Sequence, residues 1–169
     1  MTIRYRAATP ADLVAIDEIF RTSFCDTFAH LYHRDDLAAF LAQFTPALWA
    51  SELGDRQFAF RIAEDAGRII GFAKLGPPNL PVATDAPRIE LRQMYLLKEW
   101  HGQGIAGELM DWVIAEAKRR AARELYLTVY IDNHRARRLY ERFGFVVVGR
   151  YDFMVGNHAD EDTIMRLDL

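Results

Sequence analysis

Three closely spaced glycines, Gly102, Gly104 and Gly107, stand between a predicted strand and a predicted helix. A chain that turns tightly at glycines leaves its backbone N–H groups free around the first turn of the helix. These donors and the positive end of the helix dipole attract phosphate groups. The spacing therefore predicts a phosphate-binding cradle, and the alternative is a glycine-rich turn that binds nothing.

The same glycines match the fingerprint of dinucleotide-binding proteins, with Asp132 as the acid at the end of the next strand. Residues 98–101 separate them from the preceding strand, however, and Asp132 lies farther along the chain than the fingerprint requires. The chain after Gly107 is also too short for the rest of a doubly wound sheet. No Gly-Lys-Ser/Thr follows, so the sequence also lacks a nucleoside triphosphate loop.

The pyrophosphate of coenzyme A is the competing ligand, and a family resemblance supports it. The sequence Leu91-Arg-Gln-Met-Tyr-Leu-Leu97, followed by His101-Gly-Gln-Gly-Ile-Ala106, resembles the acetyl-CoA motif of the GNAT N-acetyltransferases. The usual form of that motif is Gln/Arg-x-x-Gly-x-Gly/Ala. Gly104 and Ala106 match it, whereas His101 takes the place of Gln or Arg.

A second block, Asn133-x-x-Ala136-x-x-x-Tyr140-Glu141-x-x-Gly144-Phe145, resembles the C-terminal signature of the same family. The two blocks lie in the family's order, and the chain is identified as a member of the GNAT superfamily. Further segments, 22–28, 89–95, 153–156 and 162–165, are similar to the bacterial PaiA-like polyamine acetyltransferases.

The resemblance implies acetyl-CoA as co-substrate, with the diphosphate on the backbone amides of the cradle. It also implies that the backbone of Met94 and Leu96 binds the pantetheine arm where two central strands diverge, as an added strand would. An arginine near Asn133 would then meet the 3′-phosphate. The predicted cofactor-binding residues are Met94, Leu96, His101, Gly102, Gln103, Gly104, Ile105, Ala106, Gly107, Asn133 and Arg137.

Acetyl transfer to an amine requires a base, because an alkylammonium has a pKa of about 10.4. Glu90 is the predicted general base, since it stands in an otherwise apolar strand that would raise its pKa. Regular alternation would place Glu90 on one face with Arg92, Met94 and Leu96, and Tyr95 on the opposite face in the core. In the alternative interpretation Glu90 pairs with Arg92 and is structural.

Tyr140 is the predicted general acid for the departing thiolate, because the resemblance implies that its hydroxyl lies near the thioester sulfur. A tyrosine pKa of about 10 keeps this proton in place at neutral pH. The alternative is an aromatic core residue on the inner face of its helix.

The acceptor pocket is predicted to form from the segment around Phe24 to Tyr32 and from the closing strands. Phe24, Phe28 and Glu90 are the predicted substrate-binding residues. Acids at Asp26, Asp35, Asp36 and 160–162 would attract a cationic amine, or they are surface charges and helix caps. Four histidines, His30, His33, His134 and His158, show no ligand spacing, and no metal is expected.

The predicted function is direct acetyl transfer from acetyl-CoA to a primary amine of a small molecule, with a polyamine as the leading candidate. Two alternatives stay open. One is acetylation of a protein N-terminus or lysine side chain, which needs an open groove. The other is a coenzyme A-binding sensor that catalyses nothing.

The elements that must position these residues follow from the hydrophobic pattern. Their predicted order is β-αα-β-β-β-α-β-α-β-β, with a possible third helix in the first helical segment. This order indicates a mixed α/β fold with a mostly antiparallel sheet of about six or seven strands and about four helices, in a single domain, 1–169. The resemblance implies the GNAT acyl-CoA N-acyltransferase fold.

Composition agrees with an ordinary globular domain. The chain has 169 residues, 51% hydrophobic and 27% charged, with a formal charge of −3. It carries no overall basic footprint for nucleic acid. No membrane-spanning segment and no signal peptide are expected. The single cysteine, Cys25, excludes an intrachain disulfide. A cytoplasmic location is expected, and a homodimer is possible.

Overall fold

The computed structural model describes residues 2–169; Met1, where the predicted domain begins, lies outside the described residues. Seven strands form one sheet in the order β1-β2-β3-β4-β5-β7-β6. The strands are β1 Ile3–Ala7, β2 Ala59–Asp65, β3 Arg68–Gly76, β4 Arg88–Leu96, β5 Glu124–Tyr130, β6 Val146–Val155 and β7 His158–Asp168. The helices are α1 Leu13–Phe28, α2 Arg34–Leu41, α3 Pro46–Gly54, α4 Ile105–Arg119 and α5 His134–Arg142. This architecture confirms the predicted mixed α/β fold.

The described chain has five α-helices, against about four predicted. The fifth helix is α3, the possible third helix of the first helical segment, and it follows α2 after a short break. Thr45 caps α3 by accepting a hydrogen bond from the Leu48 N–H at 3.1 Å, and Pro46 occupies the first turn. A cap and a proline at this point start a new helix and end the previous one, because proline lacks an N–H to continue it.

The sheet is antiparallel except between β4 and β5, which run parallel. These two strands pair over three positions only, from Arg88 opposite Glu124 to Glu90 opposite Tyr126. Beyond them, residues 91–96 of β4 and 127–130 of β5 diverge. The divergence leaves backbone groups on the facing edges of both strands available to a ligand.

An irregularity in β4 changes which residues share a face. Leu75 of β3 pairs with Leu91, and the adjacent Lys74 pairs with Gln93, so Arg92 is an extra residue in a β-bulge. The bulge reverses the alternation that the sequence suggested. Glu90 therefore does not share a face with Met94 and Leu96, and that expectation was wrong.

Each face of the sheet carries its own core. On one face, Leu109, Met110 and Val113 of α4 pack against Leu125 and Leu127 of β5. Truncation of such a buried side chain to alanine costs about 2–5 kcal/mol, which shows how firmly α4 is held.

The opposite face carries an aromatic core beneath α1, α2 and α3. The Phe20 ring centroid lies 5.9 Å from that of Trp49 and 5.4 Å from that of Tyr95. This packing fixes the C-terminal half of α1, including Phe24, against the sheet.

The closing hairpin joins β6 to β7, and β7 begins at His158. The hairpin turns at Gly156, whose φ is +58°, and Asp36 supports the turn by accepting a hydrogen bond from the Asn157 N–H at 2.8 Å. The polar run Asp160–Asp162 is therefore part of the sheet and not of a loop.

The two outer edges of the sheet are β1 and β6, and Val146, Val147 and Val148 of β6 are exposed. Within residues 2–169, no helix is both long enough and apolar enough to cross a membrane.

Candidate active site

A cavity of about 980 Å³ opens where β4 and β5 diverge. Its walls come from the end of α1, the diverging strands, the first turn of α4, one face of α5 and the closing hairpin. The two blocks that carried the family resemblance thus meet around one space. Of the predicted site residues, it is lined by Phe24, Phe28, Met94, Leu96, His101, Gly102, Gly104, Ile105, Ala106, Gly107, Asn133 and Tyr140.

The glycine cradle forms the entry to α4. Gly102 and Gly104 adopt φ values of +77° and +82°, and Gly104 is the N-cap of the helix. A Cβ added at Gly102, Gly104 or Gly107 would meet nothing within 4 Å, so their backbone faces open space. Free N–H donors, a helix N-terminus and an open approach make a site for a phosphate group.

Two predicted cofactor residues do not line the cavity. The Gln103 side chain instead donates to the Glu99 carbonyl at 3.1 Å. Arg137 lies 2.9 Å from Glu141 in an i,i+4 ion pair on another face of α5. Other basic side chains line the cavity: Lys98, Arg135, Arg138 and Arg142.

His101 joins the cradle to the end of β4. Its Nε2 atom lies 2.8 Å from the Leu96 carbonyl oxygen and 3.1 Å from an Arg135 guanidinium nitrogen. Burial lowers the pKa of His101, which favours the neutral imidazole. With Nε2 protonated, the ring donates to Leu96 and fixes the position of the strand end.

Alternate N–H groups of the β4 backbone point into the gap between the diverging parts of β4 and β5. The Leu97 N–H donates to the Ile70 carbonyl of β3 at 2.9 Å. Because successive N–H groups of a strand point to opposite edges, the N–H groups of Leu96 and Met94 point away from β3 toward the gap.

Tyr140 is positioned by α5, which Asn133 caps by accepting a hydrogen bond from the Ala136 N–H at 3.3 Å. The ring packs at 5.9 Å from Phe145, and the residue is almost fully buried at the cavity wall. Burial raises the pKa of Tyr140 to about 12, so its hydroxyl keeps its proton at neutral pH.

Glu90 is not among the residues that line the cavity. Its Oε2 atom accepts a hydrogen bond from the Asn79 N–H at 2.6 Å, and its Oε1 atom lies 3.7 Å from the Arg92 Nε. Burial raises the pKa of Glu90, while the Asn79 N–H and Arg92 oppose that rise. The loop over residues 77–87 thus contacts the carboxylate through the Asn79 N–H.

An acidic wall faces the cavity from α1 and the closing hairpin. It comprises Asp26, Asp160 and Asp162, whereas Asp35 and Asp36 lie outside the cavity. Tyr32 donates a hydrogen bond to the Asp160 carboxylate. Burial, with a smaller contribution from the charge of Asp160, raises the pKa of Asp162 to about 7.

Tyr95 belongs both to the aromatic core and to the cavity wall, which the alternation of side chains along β4 did not predict. Its ring packs in the aromatic core, as predicted, with centroids 5.4 Å from Phe20 and 6.0 Å from Phe72. It also lines the cavity, and burial followed by the charges of Tyr140 and Asp162 raises its pKa. Tyr95 therefore lies within electrostatic reach of both of these side chains.

Two groups of cavity residues have a sequence pattern that could have identified them as neighbours. Arg135, Arg138 and Arg142 recur at helical spacing and share one face of α5, which excludes Arg137. Asp160 and Asp162 are two residues apart, and in a strand that spacing puts both on one face. Across residues 2–169, no three His, Cys, Asp or Glu side chains gather as a metal site.

Comparisons with known proteins agree with this geometry. The family model "Acetyltransferase (GNAT) family" matches residues 14–145. An uncharacterized N-acetyltransferase of Mycobacterium bovis is 35% identical over 136 residues, covering 80% of this chain and 83% of the relative. A spermine/spermidine N(1)-acetyltransferase of Bacillus subtilis is 29% identical over 89 residues, covering 52% and 59% of the two chains.

Among solved structures, the PaiA N-acetyltransferase of Thermoplasma acidophilum in complex with coenzyme A superposes with a TM-score of 0.80. The match covers 100% of both chains at 22% sequence identity, a level that shows the shared fold. The family match extends from α1 to the end of the second signature block and includes the whole cradle. The chain therefore belongs to the GNAT family of acetyltransferases and is an acyltransferase enzyme.

Proposed function

We propose that this enzyme transfers an acetyl group from acetyl-CoA directly to the primary amine of a small cationic molecule such as a polyamine. The observation that carries the proposal is that basic and acidic groups line the same cavity. The phosphate cradle and Lys98, Arg135 and Arg138 lie on its α4 and α5 side, and Asp26, Asp160 and Asp162 face it from α1 and β7.

The residues present fit acetyl-CoA. Backbone amides of Gln103, Gly104, Ala106 and Gly107 would hold the diphosphate, since the approach to the glycines is open. The arginines of α5 that line the cavity would meet the remaining phosphate. When bound, acetyl-CoA supplies an acetyl group activated as a thioester.

The gap between β4 and β5 suits the extended pantetheine arm. Backbone groups of Met94 and Leu96 on the free edge of β4 would bind the arm as a strand is bound. The Leu96 N–H, directed into the gap, would also donate to the carbonyl oxygen on which negative charge develops.

Tyr140 is the proposed general acid. Its raised pKa keeps a proton on the hydroxyl, and from the cavity wall the hydroxyl would face the sulfur leaving group. General acid catalysis typically contributes a factor of about 100 or more to the rate.

The acidic wall supports a cationic acceptor. An ammonium ion approaching Asp26, Asp160 and Asp162 is attracted, while an anionic acceptor is repelled. The partial similarity to a spermine/spermidine acetyltransferase points to the same chemical class. Phe24 and Phe28 would pack against the methylene chain of such an amine.

Thermal unfolding with acetyl-CoA, NAD and ATP is the first test. A ligand at 100 times its Kd adds about 2.7 kcal/mol to stability, which raises the Tm by a few degrees at this size. The proposal expects a rise with acetyl-CoA alone. No rise with acetyl-CoA, or a rise only with NAD, contradicts it.

A thiol-release assay then identifies the acceptor from spermidine, spermine, putrescine, free lysine and short peptides. Turnover of the polyamines supports the proposed acceptor class. Turnover of peptides alone would favour the protein acetyltransferase. Binding of acetyl-CoA with no turnover of any amine would favour a sensor.

A further inference from the structure

Asp162 is one of the three carboxylates of the acidic wall. It lies on β7, paired with Tyr130 of β5 and Tyr151 of β6, and it lines the cavity. The residue is 6% exposed. Within residues 2–169, no Lys, Arg or His nitrogen lies within salt-bridge distance of its carboxylate. Burial of an ionised carboxylate without a cation costs free energy. A positively charged ligand in the cavity would reduce that cost.

The groups that face Asp162 are acidic or neutral. The Thr128 side chain of β5 lowers the pKa of Asp162 and so partly opposes the effect of burial. Its charge contributes to the raised pKa values of Tyr32, Tyr95 and Tyr130, which approach from three different elements. Asp162 is thus within electrostatic reach of side chains from the segment after α1, from β4 and from β5.

The neighbouring acid, Asp160, is already engaged. Tyr32 donates to one carboxylate oxygen, and the other lies 3.2 Å from His158 Nε2. Glu90 is covered by the loop over residues 77–87 and is not part of the cavity. Of Glu90, Asp160 and Asp162, Asp162 alone lines the cavity and has no Lys, Arg or His nitrogen of the described chain within salt-bridge distance.

We propose that Asp162 is the general base that takes the first proton from the ammonium group of the acceptor. This inference rests on the proposed acetyltransferase function and assigns to Asp162 the role that the sequence suggested for Glu90. A group poised near neutral pH is well suited to this work.

The reaction balances with these residues. The ammonium gives one proton to Asp162, and the nitrogen lone pair forms the C–N bond to the acetyl carbon. The C–S bond breaks, its electron pair goes to sulfur, and Tyr140 protonates the sulfur. The nitrogen's second proton restores Tyr140, and Asp162 releases its proton to solvent. The products are the N-acetylamine, coenzyme A with a free thiol, and one proton.

The test is the pH dependence of kcat/KM, from pH 5.5 to 9.5, for the wild type, Asp162→Asn and Asp152→Asn. Asp152 is an exposed carboxylate on β6 and serves as the matched control for loss of one charge. The wild type should show a limb that rises through a pKa of about 7. Asp162→Asn should lose that limb and fall about 100-fold or more at pH 7.5.

Three further measurements make the result decisive. The Kd of acetyl-CoA should not change in Asp162→Asn, which separates proton transfer from disruption of the cradle. Carboxyl ¹³C titration of the wild type, which needs no turnover, should assign the near-neutral pKa to Asp162. Glu90→Gln should keep the rising limb.

Two results would overturn the assignment. One is an Asp162→Asn enzyme with a wild-type pH profile; the other is loss of the limb in Glu90→Gln instead. If the wild type acetylates no amine at all, the proposed function fails, and the carboxyl titration still decides the ionisation of Asp162.

Discussion

The hydroxyl of Tyr32 donates a hydrogen bond to the carboxylate of Asp160, which lies 128 residues farther along the chain. This bond joins the segment after α1 to the first residues of β7 at the wall of the cavity. Hydrogen bonds to charged groups contribute about 1.5–3 kcal/mol each. The pair therefore contributes both to stability and to the shape of the proposed acceptor pocket.

Tyr32→Phe should lower the free energy of unfolding by about 1–2 kcal/mol and raise the KM for the amine. Urea unfolding of both single variants and of Tyr32→Phe/Asp160→Asn would measure the coupling between the two side chains. Strictly additive effects would show that the two groups do not interact.

Tyr140→Phe should lower kcat by about 100-fold with little change in the KM for acetyl-CoA, because only the proton donor is removed. Tyr5→Phe on β1 is the matched control, since Tyr5 lies outside the cavity. Steady-state kinetics at several pH values would check this. A Tyr140→Phe enzyme with the wild-type kcat throughout would exclude the acid role.

Gly107→Ala should strengthen the fold and weaken acetyl-CoA binding at the same time. An alanine inside a helix is favoured over glycine by about 0.5–1 kcal/mol, yet its Cβ would project toward the space proposed for the diphosphate. Gly54→Ala in α3 is the control, because it too meets nothing within 4 Å but lies away from the cavity. Equal acetyl-CoA affinity in both variants would argue against the cradle.

Glu52→Gln should destabilise the fold by about 3 kcal/mol, because it leaves a buried ammonium without its partner. Lys74 Nζ lies 2.6 Å from Glu52 Oε2 and 4.9 Å from the centre of the Trp49 ring. Lys74→Met added to Glu52→Gln should restore most of that stability. Chemical unfolding would show this, and a double variant no more stable than Glu52→Gln would contradict it.

Asp162→Asn should be more stable than the wild type at pH 8, by about 2 kcal/mol or a few degrees in Tm. The pKa of Asp162 is raised from 3.8 to about 7 in the folded state, so its ionised form is disfavoured there. The wild type therefore loses stability relative to the variant as the pH rises from about 4 through 7. A difference that does not change over this range would contradict the raised pKa.

The elements and the cradle could be predicted because their signals are local. Thr45 before Pro46, Asn133 before α5 and the glycines before α4 each act within a few residues. Such capping and turn signals need no knowledge of the tertiary fold.

The proposed role of Asp162 as the base could not be predicted from local sequence patterns. The bulge at Arg92 is a property of the pairing between β3 and β4, and it decides which face Glu90 occupies. The acids of β7 look like a solvated loop until pairing with β5 and β6 places Asp162 inside the cavity. Burial, and hence the pKa of a carboxyl group, depends on such long-range contacts.

The short pairing of β4 with β5 also affects how the molecule unfolds locally. Only three residue pairs join the four strands of the N-terminal half to the three strands of the C-terminal half. The sheet therefore consists of two half-sheets that are joined by a short stretch of strand pairing. Each half-sheet is a candidate unit of cooperative unfolding. Amide hydrogen exchange should resolve the two halves as separate units, and a ligand that bridges β4 and β5 should merge them into one.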